Sequence, residues 1–326
     1  MKLLPQSLRK PDYRGRNRER GFALLAVLWI SLLLGLLALN YATTARLKAE
    51  AARNRRLAVR NDFILEAALA RGWHEFLKYR VNRGLLRKKA EYEEITGAKL
   101  ELWYPRREPR TAVVDGVKVE IRIVDEAGKF QINGLSVERL RKVVETCGLT
   151  RESARDVVVD SILDWTDGDS LHRLNGAETD YYKEQGLDYS CKNRPFEVVN
   201  ELLLVRGVSP ELYSGSVSRP GLVDFLSPYG TENGRLDINS CATAALRLIE
   251  ELPEDVIADI VARRLEGPIE NLADLSEIVP AEYFSQLQHW FIVGRSNYIM
   301  VAVRIAGPKG LAGGWRRRIY AINRRR

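Results

Sequence analysis

The chain has 326 residues, which exceeds the usual size of one domain and predicts a two-part architecture. Its formal net charge is +8, but the excess of positive charge lies at the two ends, and residues 57–308 contain 40 acidic and 32 basic residues. The main body is therefore acidic, which argues against a nucleic-acid-binding protein.

A basic leader precedes one long apolar segment near the N-terminus. Four arginines lie within 14–20, and residues 22–39 carry no charge, which is long enough to cross a bilayer as one helix. Gly21 lies before the apolar run, whereas a conventional secretory signal has its small residues after it. We therefore predict cleavage between Gly21 and Phe22, which removes the leader and leaves the membrane anchor. The basic residues hold the leader in the cytoplasm and place the rest of the chain on the other side.

The apolar segment continues into an amphipathic stretch that has no proline as far as Arg80. Four apolar residues recur there at helical spacing: Phe63, Ala67, Ala70 and Leu77. We predict one helix from Phe22 to Tyr79, with an apolar first half that suits lipid or a bundle of identical helices. The second half suits packing on a sheet. The four-residue stripe has two alternative roles, intradomain core or a surface that binds partner proteins.

Strand-like sequence occurs in two sets, before and after a long helical stretch. Asp115-Gly116 is a strong hairpin signal between the second and third segments. The predicted strands are Lys99–Tyr104, Thr111–Val114, Val117–Val124, Tyr298–Ile305 and Arg318–Ile322, with a glycine-rich link at Gly307–Gly314 before the last. Leu135 to Phe291 is nearly all of helical pattern. The predicted fold is α+β, a long N-terminal helix packed on a small antiparallel sheet, with a large all-helical domain inserted between strands.

An acidic loop is the one constellation with metal-binding chemistry. Calcium takes six to eight oxygen ligands, which several carboxylates on a flexible loop supply well. The candidate ligands are Asp167, Asp169, Glu178 and Asp180, with Asp164 as a secondary candidate because it falls at the end of the preceding helix. These acids repel one another unless a cation neutralises them. The alternative is a solvated acidic loop without an ion.

The cysteines and histidines give no catalytic or metal-finger pattern. No CxxC pair is present among the three cysteines, Cys147, Cys191 and Cys241. The alternatives are one disulfide plus a free thiol, or three buried thiols. The histidines are scattered at positions 74, 172 and 289, and neither a Ser-His-Asp order nor a phosphate loop is present. We therefore expect no catalytic residues and no enzyme, and a membrane-anchored enzyme is the less favoured reading.

These features together resemble a known family. The Gly21–Phe22 junction before an unbroken apolar helix is similar to the class III signal of type IV pilins and type II secretion pseudopilins. Most members have glutamate five residues after the cut, whereas this chain has Ala26, as in the K-type minor pseudopilins (general secretion pathway protein K). Further matching motifs are Asp164-Trp165, Gly176-Ala177-Glu178, Tyr181-Tyr182, Asn193-Arg194-Pro195-Phe196, Val205-Arg206-Gly207-Val208 and Asp237-Ile238-Asn239.

The resemblance implies a function and a place in the cell. The expected protein is a non-enzymatic minor pseudopilin at the tip of the type II secretion pseudopilus, which starts or caps the fibre for protein export. It would be a single-pass protein of the bacterial inner membrane, with its C-terminal domain in the periplasm and structural calcium in the insert. Expected partners are the I-type and J-type minor pseudopilins and a prepilin peptidase that cuts after Gly21 and N-methylates Phe22.

The resemblance also gives the expected domains and leaves one rival function. A minor pilin of an adhesive or DNA-uptake fibre would share the signal. A motif similar to a helix-hairpin-helix lies near Pro253-Glu254-Asp255, but its turn is acidic and lacks glycine, so we expect no nucleic-acid partner. The expected domains are a cleaved leader at 1–21, the transmembrane half-helix at 22–43, a pilin-like α/β domain at 44–134 and 293–326, and the helical insert at 135–292.

Overall fold

The computed structural model describes residues 16–216, 219–307 and 314–322. Residues 1–15 of the predicted leader, and most of the predicted 307–314 link, lie outside these residues. The chain divides into two units, residues 1–63 and 64–326, and each is described by itself.

One helix, α1 (Arg16–Asn82), supplies the described part of the first unit and enters the second. The predicted helix from Phe22 to Tyr79 is confirmed, and it forms because no proline interrupts this stretch. Its apolar side chains in the first unit are exposed, among them Phe22, Leu32 and Leu39. Within the described residues, this is the one helix that is long and apolar enough to cross a membrane.

In the second unit, α1 buries one face and exposes another. The buried face consists of Ile64, Ala68, Leu69, Gly72, Phe76 and Tyr79. The predicted stripe is exposed instead, with Phe63 at 72% and Leu77 at 36% relative exposure. Intradomain core is therefore the wrong reading of that stripe. The apolar residues of this helix extend around much of its circumference, so spacing alone does not select the face that meets the sheet.

The main sheet has four antiparallel strands, which lie side by side in the order in which they occur in the chain. Its strands are β1 (Arg106–Val114), β2 (Val117–Asp125), β7 (Tyr298–Ile305) and β8 (Arg316–Ala321). Asp115 and Gly116 have φ of 48° and 75°, the left-handed pair that a tight hairpin of primed type requires. The inner face packs on α1, where Gly72 allows close approach, since a Cβ there would lie 2.6 Å from Cγ1 of Val301.

The predicted strand at Lys99–Tyr104 is wrong, because this segment pairs with no described strand. Leu102 and Tyr104 are buried against the core of α1 and the sheet, so burial alone explains the apolar pattern. The adjacent strand β1 begins earlier than predicted, at Arg106, and includes Pro109. An edge strand tolerates this proline at an irregularity in the register between Arg106 and Arg110.

The helical insert lies between β2 and β7 in the sequence, so the predicted α+β fold class is confirmed. A short helix, α2 (Lys89–Thr96), precedes β1. The helices of the insert are α3 (Val137–Thr146), α4 (Glu152–Thr166), α5 (Thr179–Glu184), α6 (Pro210–Ser214), α7 (Leu222–Phe225), α8 (Glu254–Glu266) and α9 (Ala281–Trp290). The insert also contains two parallel pairs of two-residue strands, β3 (Phe130–Gln131) with β4 (Leu226–Ser227) and β5 (Leu236–Asp237) with β6 (Phe291–Ile292). Strands this short have no measurable periodicity in the sequence.

Two hydrophobic cores hold the second unit. One lies between α1 and the sheet, and the other fills the insert. In the second core, Trp165 of α4 contacts Tyr182, Tyr189 and Phe196. These aromatic contacts hold both ends of the acidic loop, which connects α4 to α5.

Candidate metal centre

Three predicted ligands converge in the loop between α4 and α5. Asp167 immediately follows α4, and Glu178 immediately precedes α5. One carboxylate oxygen from each of Asp167, Asp169 and Glu178 lies within 4.8 Å of the others. This spacing allows a single hard cation to contact all three carboxylates.

The buried carboxylate oxygens of this cluster are incompletely satisfied by hydrogen bonds. Glu178 is 2% exposed, and neither of its carboxylate oxygens accepts a hydrogen bond of good geometry, although the side chain of Asn193 and the backbone N–H of Thr179 lie close enough to lower its pKa. Oδ1 of Asp167 is also buried without a partner. Burial raises the pKa of Glu178, and the negative charges of Asp164 and Asp167 raise it further. An ionised carboxylate in this setting needs a positive charge nearby, so the three acids fit a cation.

The carboxylate of Asp164 forms an ion pair with Arg173 and is therefore less available to a metal ion. Its carboxylate is fully buried, and Oδ1 accepts a hydrogen bond of 2.6 Å from Nη1 of Arg173. The same nitrogen donates to Oδ2 of Asp167 at 2.5 Å. Gly176 packs against Asp164, and a Cβ at position 176 would lie 1.8 Å from Oδ2 of that aspartate. Asp164 therefore orders the loop through Arg173 and Gly176.

Asp180 lies outside the group of three carboxylates. It is exposed in the first turn of α5, and its Oδ1 accepts a hydrogen bond from the backbone N–H of Tyr181. The structure thus brings Asp167, Asp169 and Glu178 together but does not add Asp180 to them.

Two residues that lie beside the cluster were not predicted from the sequence to belong to the site. Arg173 contributes the guanidinium group described above. Asn193 donates through Nδ2 to the backbone oxygen of Asp169, and its own Oδ1 is buried without a partner. Asn193 also has φ of 48°, a left-handed conformation that asparagine tolerates. The available signal was the Asn-Arg-Pro-Phe motif, which we assigned only to the resemblance.

The other sequence-predicted features lie apart from this cluster. The Gly21–Phe22 junction falls inside α1, and Phe22 is 77% exposed. Cys147, Cys191 and Cys241 are all buried free thiols, so the disulfide alternative is not realised. Arg264, in the helix-hairpin-helix-like motif, points inward and donates to the Cys241 backbone oxygen at 3.4 Å.

Comparisons with known proteins agree with the resemblance. The family described as type II secretion system (T2SS), protein K, matches residues 120–215. Type II secretion system protein K of Pseudomonas aeruginosa is 30% identical over 164 residues, which cover 47% of this chain and 46% of that protein. The Klebsiella pneumoniae protein of the same name is 24% identical over 262 residues, 76% of this chain and 74% of that protein.

One solved structure is also similar. It is the crystal structure of the GspK-GspI-GspJ complex from the enterotoxigenic Escherichia coli type 2 secretion system. The TM-score is 0.44 at 16% identity, over 73% of this chain and 88% of the other. With the family match over 120–215 and the two sequence relatives, the resemblance to the K-type secretion proteins is confirmed.

Proposed function

We propose that this chain is a minor pseudopilin of type II secretion, a non-enzymatic subunit at the tip of a short periplasmic fibre. The observation that carries the proposal is the family match over residues 120–215, which include the acidic loop and much of the insert around it. The long helix α1 supports it, because an apolar first part and a sheet-packed second part suit a subunit that is stored in a membrane and then assembled. The matched relatives favour secretion over an adhesive or DNA-uptake fibre.

The proposed anchor is the exposed apolar part of α1. Large apolar side chains between Phe22 and Leu39 are exposed, and no described residue of the first unit covers them, so lipid is a suitable environment. The basic residues before Gly21 would remain on the cytoplasmic side of the inner membrane, and the second unit would lie in the periplasm. Cleavage after Gly21 would leave N-methylated Phe22 as the first mature residue.

Mass spectrometry of the chain purified from native membranes tests this proposal. We expect a mature N-terminus at N-methylated Phe22. A Gly21→Leu variant should keep the leader, because the peptidase needs a small residue before the cut. An intact Met1 in the unsubstituted protein, or a cut beyond Leu39, would contradict the proposal.

The proposed metal is calcium, held by Asp167, Asp169 and Glu178. Backbone oxygens, water and Oδ1 of Asn193 are available to complete the six to eight ligands that calcium prefers. When bound, the ion would neutralise the buried charge of Glu178 and order the loop between α4 and α5. Arg173 would keep Asp164 and one oxygen of Asp167 in place beside it. The role is structural, because the one thiol beside the carboxylates, Cys191, is buried and its pKa is raised to about 12 chiefly by that burial, so it stays a neutral thiol.

The proposed partners are the I-type and J-type minor pseudopilins. The exposed stripe of α1 supports this part of the proposal, since Phe63 and Leu77 remain accessible although the opposite face of the helix is buried. Exposed apolar side chains that recur along one helix face are typical of a helix–helix interface.

A further inference from the structure

The outer face of the sheet, which points away from α1, carries a group of guanidinium groups around one tryptophan. We call this group the arginine surface and define it by Arg107, Arg122, Arg304, Arg317 and Trp315. It involves β1, β2, β7 and β8 together with the residue that precedes β8.

The strand register places these side chains on one face. Ala302 pairs with Arg122 on one side and with Arg317 on the other, so these three residues form a row across the sheet. Arg304 lies two residues further along β7 than Ala302 and therefore shares its face. Ala302 itself is buried, and Arg317 at the end of the row is exposed.

Trp315 lies between two of the guanidinium groups. The Cζ atom of Arg122 is 4.5 Å from the ring centroid, and that of Arg304 is 4.6 Å away. These stacking contacts hold the side chains in place and leave their N–H groups to be satisfied by hydrogen bonds.

Carboxylates neutralise only part of this surface. Glu120 accepts a hydrogen bond of 2.6 Å from Arg304, and Asp224 accepts one of 2.7 Å from Arg107. Within the described residues, Arg122 and Arg317 have no hydrogen bond or ion pair to a carboxylate, and Nε of Arg122 is buried without a partner. Burial, followed by the positive charges of Arg107, Arg317 and Arg304, lowers the pKa of Arg122 from 12.5 to about 10. Glu108 acts in the opposite sense but forms no described hydrogen bond with Arg122.

The internal and C-terminal segments outside the described residues contain no acid that would complete the surface. By sequence, residues 217–218, 308–313 and 323–326 include neither aspartate nor glutamate. None of these three segments can therefore supply a carboxylate to Arg122 or Arg317.

We propose that the arginine surface binds an acidic segment of another protein chain, through carboxylates that bridge Arg122 and Arg317. The existing pairs with Glu120 and Asp224 show that the surface accepts carboxylates at hydrogen-bond distance. The row from Arg122 to Arg317 spans two strand spacings, about 10 Å, which suits successive side chains of an extended peptide better than one small ion. A nucleic acid fits less well, because the acidic body between residues 57 and 308 repels a long polyanion. This inference depends on neither the calcium site nor the proposed role in secretion.

Fluorescence anisotropy with the full chain in detergent tests the proposal. The probe is a fluorescein-labelled hexapeptide of alternating glutamate and aspartate, and its control is the peptide of alternating glutamine and asparagine. We expect micromolar to submillimolar binding of the acidic peptide only, which weakens severalfold between 50 and 200 mM salt. Arg122→Gln and Arg317→Gln should each weaken binding roughly tenfold, because each removes a charge-assisted hydrogen bond. Arg56→Gln, an exposed arginine on α1, is the matched control and should bind as the unsubstituted chain does.

Four outcomes would overturn the proposal. The first is that the acidic peptide does not bind at 1 mM. The second is that Arg122→Gln and Arg317→Gln both bind the peptide as tightly as the unsubstituted chain, while unchanged melting temperatures show that the variants are folded. Displacement of the peptide by inorganic phosphate at an equal concentration of charge would indicate a small-anion site instead. Tighter binding of a single-stranded oligothymidylate, lost in the same two variants, would indicate a nucleic-acid surface.

Discussion

Glu178 is almost fully buried beside two aspartates, and its carboxylate oxygens accept no hydrogen bond of good geometry from a described donor. A buried carboxylate without a partner is destabilising unless it takes up a proton or meets a cation. The raised pKa of Glu178 favours uptake of a proton, whereas the calcium proposed above would provide the cation. The behaviour of this residue therefore distinguishes a metal-ordered loop from a solvated acidic surface.

Replacing Asp167 with Asn and Glu178 with Gln together should abolish stabilisation by calcium. For the unsubstituted chain, binding to the folded state alone adds about 2.7 kcal/mol at a hundredfold excess over Kd. In chelator the double variant should melt at a higher temperature than the unsubstituted chain, because the repulsion between the two carboxylates is gone. Scanning calorimetry of the full chain in detergent, with calcium and with chelator, measures both effects.

Asp180→Asn is the matched control for that experiment, since this exposed carboxylate lies outside the group of three. It should keep most of the calcium response. If chelator leaves the melting temperature of the unsubstituted chain unchanged and calorimetry detects no calcium binding, the loop is a solvated acidic surface.

A second residue-scale prediction concerns Asp125, a buried carboxylate at the end of β2. Its Oδ1 accepts hydrogen bonds from the N–H of Ala127 at 2.9 Å and from the N–H and hydroxyl of Ser296 at 2.9 and 2.7 Å. Burial, helped by the nearby charge of Asp237, raises the pKa of Asp125 from 3.8 to about 7. Because the folded state holds this proton more tightly than the unfolded state, the contribution of Asp125 to stability is complete below pH 4. It is lost as the pH rises through 7.

Asp125→Asn should therefore reduce the loss of stability between pH 5 and pH 8. The amide keeps an acceptor for Ser296 but cannot ionise, so the loss that is avoided between these two pH values is roughly 2.5 kcal/mol. Denaturant unfolding at the two pH values measures it. The exposed Asp188→Asn variant should show the unsubstituted slope. Identical slopes for Asp125→Asn and the unsubstituted chain would show that Asp125 is ionised throughout.

At the scale of elements, α1 presents two different faces to its surroundings. The face that includes Leu69, Gly72 and Phe76 is buried on the sheet, whereas the face that includes Phe63 and Leu77 is exposed. The first face therefore determines stability, and the second is free to determine association.

Gly72→Leu should destabilise the fold. Even a Cβ at this position would lie 2.6 Å from Cγ1 of Val301 and 2.9 Å from Cγ2 of Ile121, so a larger side chain forces the helix away from the sheet. Overpacking of this kind costs about 1–3 kcal/mol. Ala70→Leu, two residues away on the exposed face, is the control and should leave the melting temperature nearly unchanged. A melting temperature of Gly72→Leu equal to that of the control would show that the contact yields easily.

Phe63→Glu should weaken association with the proposed partner pseudopilins without lowering the melting temperature. The side chain is exposed, so a charge there costs little in the isolated chain, but it would be desolvated in a helix–helix interface. Co-purification of the three detergent-extracted proteins measures the effect. Phe63→Leu keeps the apolar surface and should retain the partners. Equal recovery of partners by Phe63→Glu would exclude this face from the interface.

At the scale of the whole molecule, an apolar helical segment and a sheet-plus-helices unit lie in one chain. In the proposed fibre, Ala26 stands where most family members have a glutamate that pairs with the N-terminal ammonium of the next subunit. A subunit with no neighbour above has no such ammonium to pair with. A glutamate at this position would then be buried without a partner.

Ala26→Glu should therefore give no gain in fibre formation. Electron microscopy of sheared pseudopili from cells that carry the variant measures the number and length of fibres, and Ala26→Ser is the control that adds no charge. A clear increase in assembly with Ala26→Glu would show that the subunit has a neighbour above it and is internal.

The sequence by itself determined the long helix, the hairpin at Asp115-Gly116, the helical insert and the acidic loop. Each depends on local information: an uninterrupted apolar run, a turn that needs left-handed residues, helical periodicity and a dense set of carboxylates. The acidic positions could be named in advance, because the chemistry of hard cations restricts ligands to oxygen-rich residues. The spatial grouping of those carboxylates could not be predicted in the same way.

Only the tertiary structure decided which surfaces and side chains meet. It buried Ile64 and Phe76 where spacing had favoured Phe63 and Leu77, because the sheet that selects the face comes from strands far away in the sequence. Leu102 and Tyr104 are buried without a strand partner. The sequence could not show this, because a buried irregular segment and a paired strand have similar apolar patterns. The tertiary structure separated Asp180 from Asp167, Asp169 and Glu178 and brought Arg173 to Asp164, because side-chain direction at a loop depends on how its two ends are anchored. Local patterns fix local conformation, whereas contacts between distant segments depend on packing that no short stretch of sequence contains.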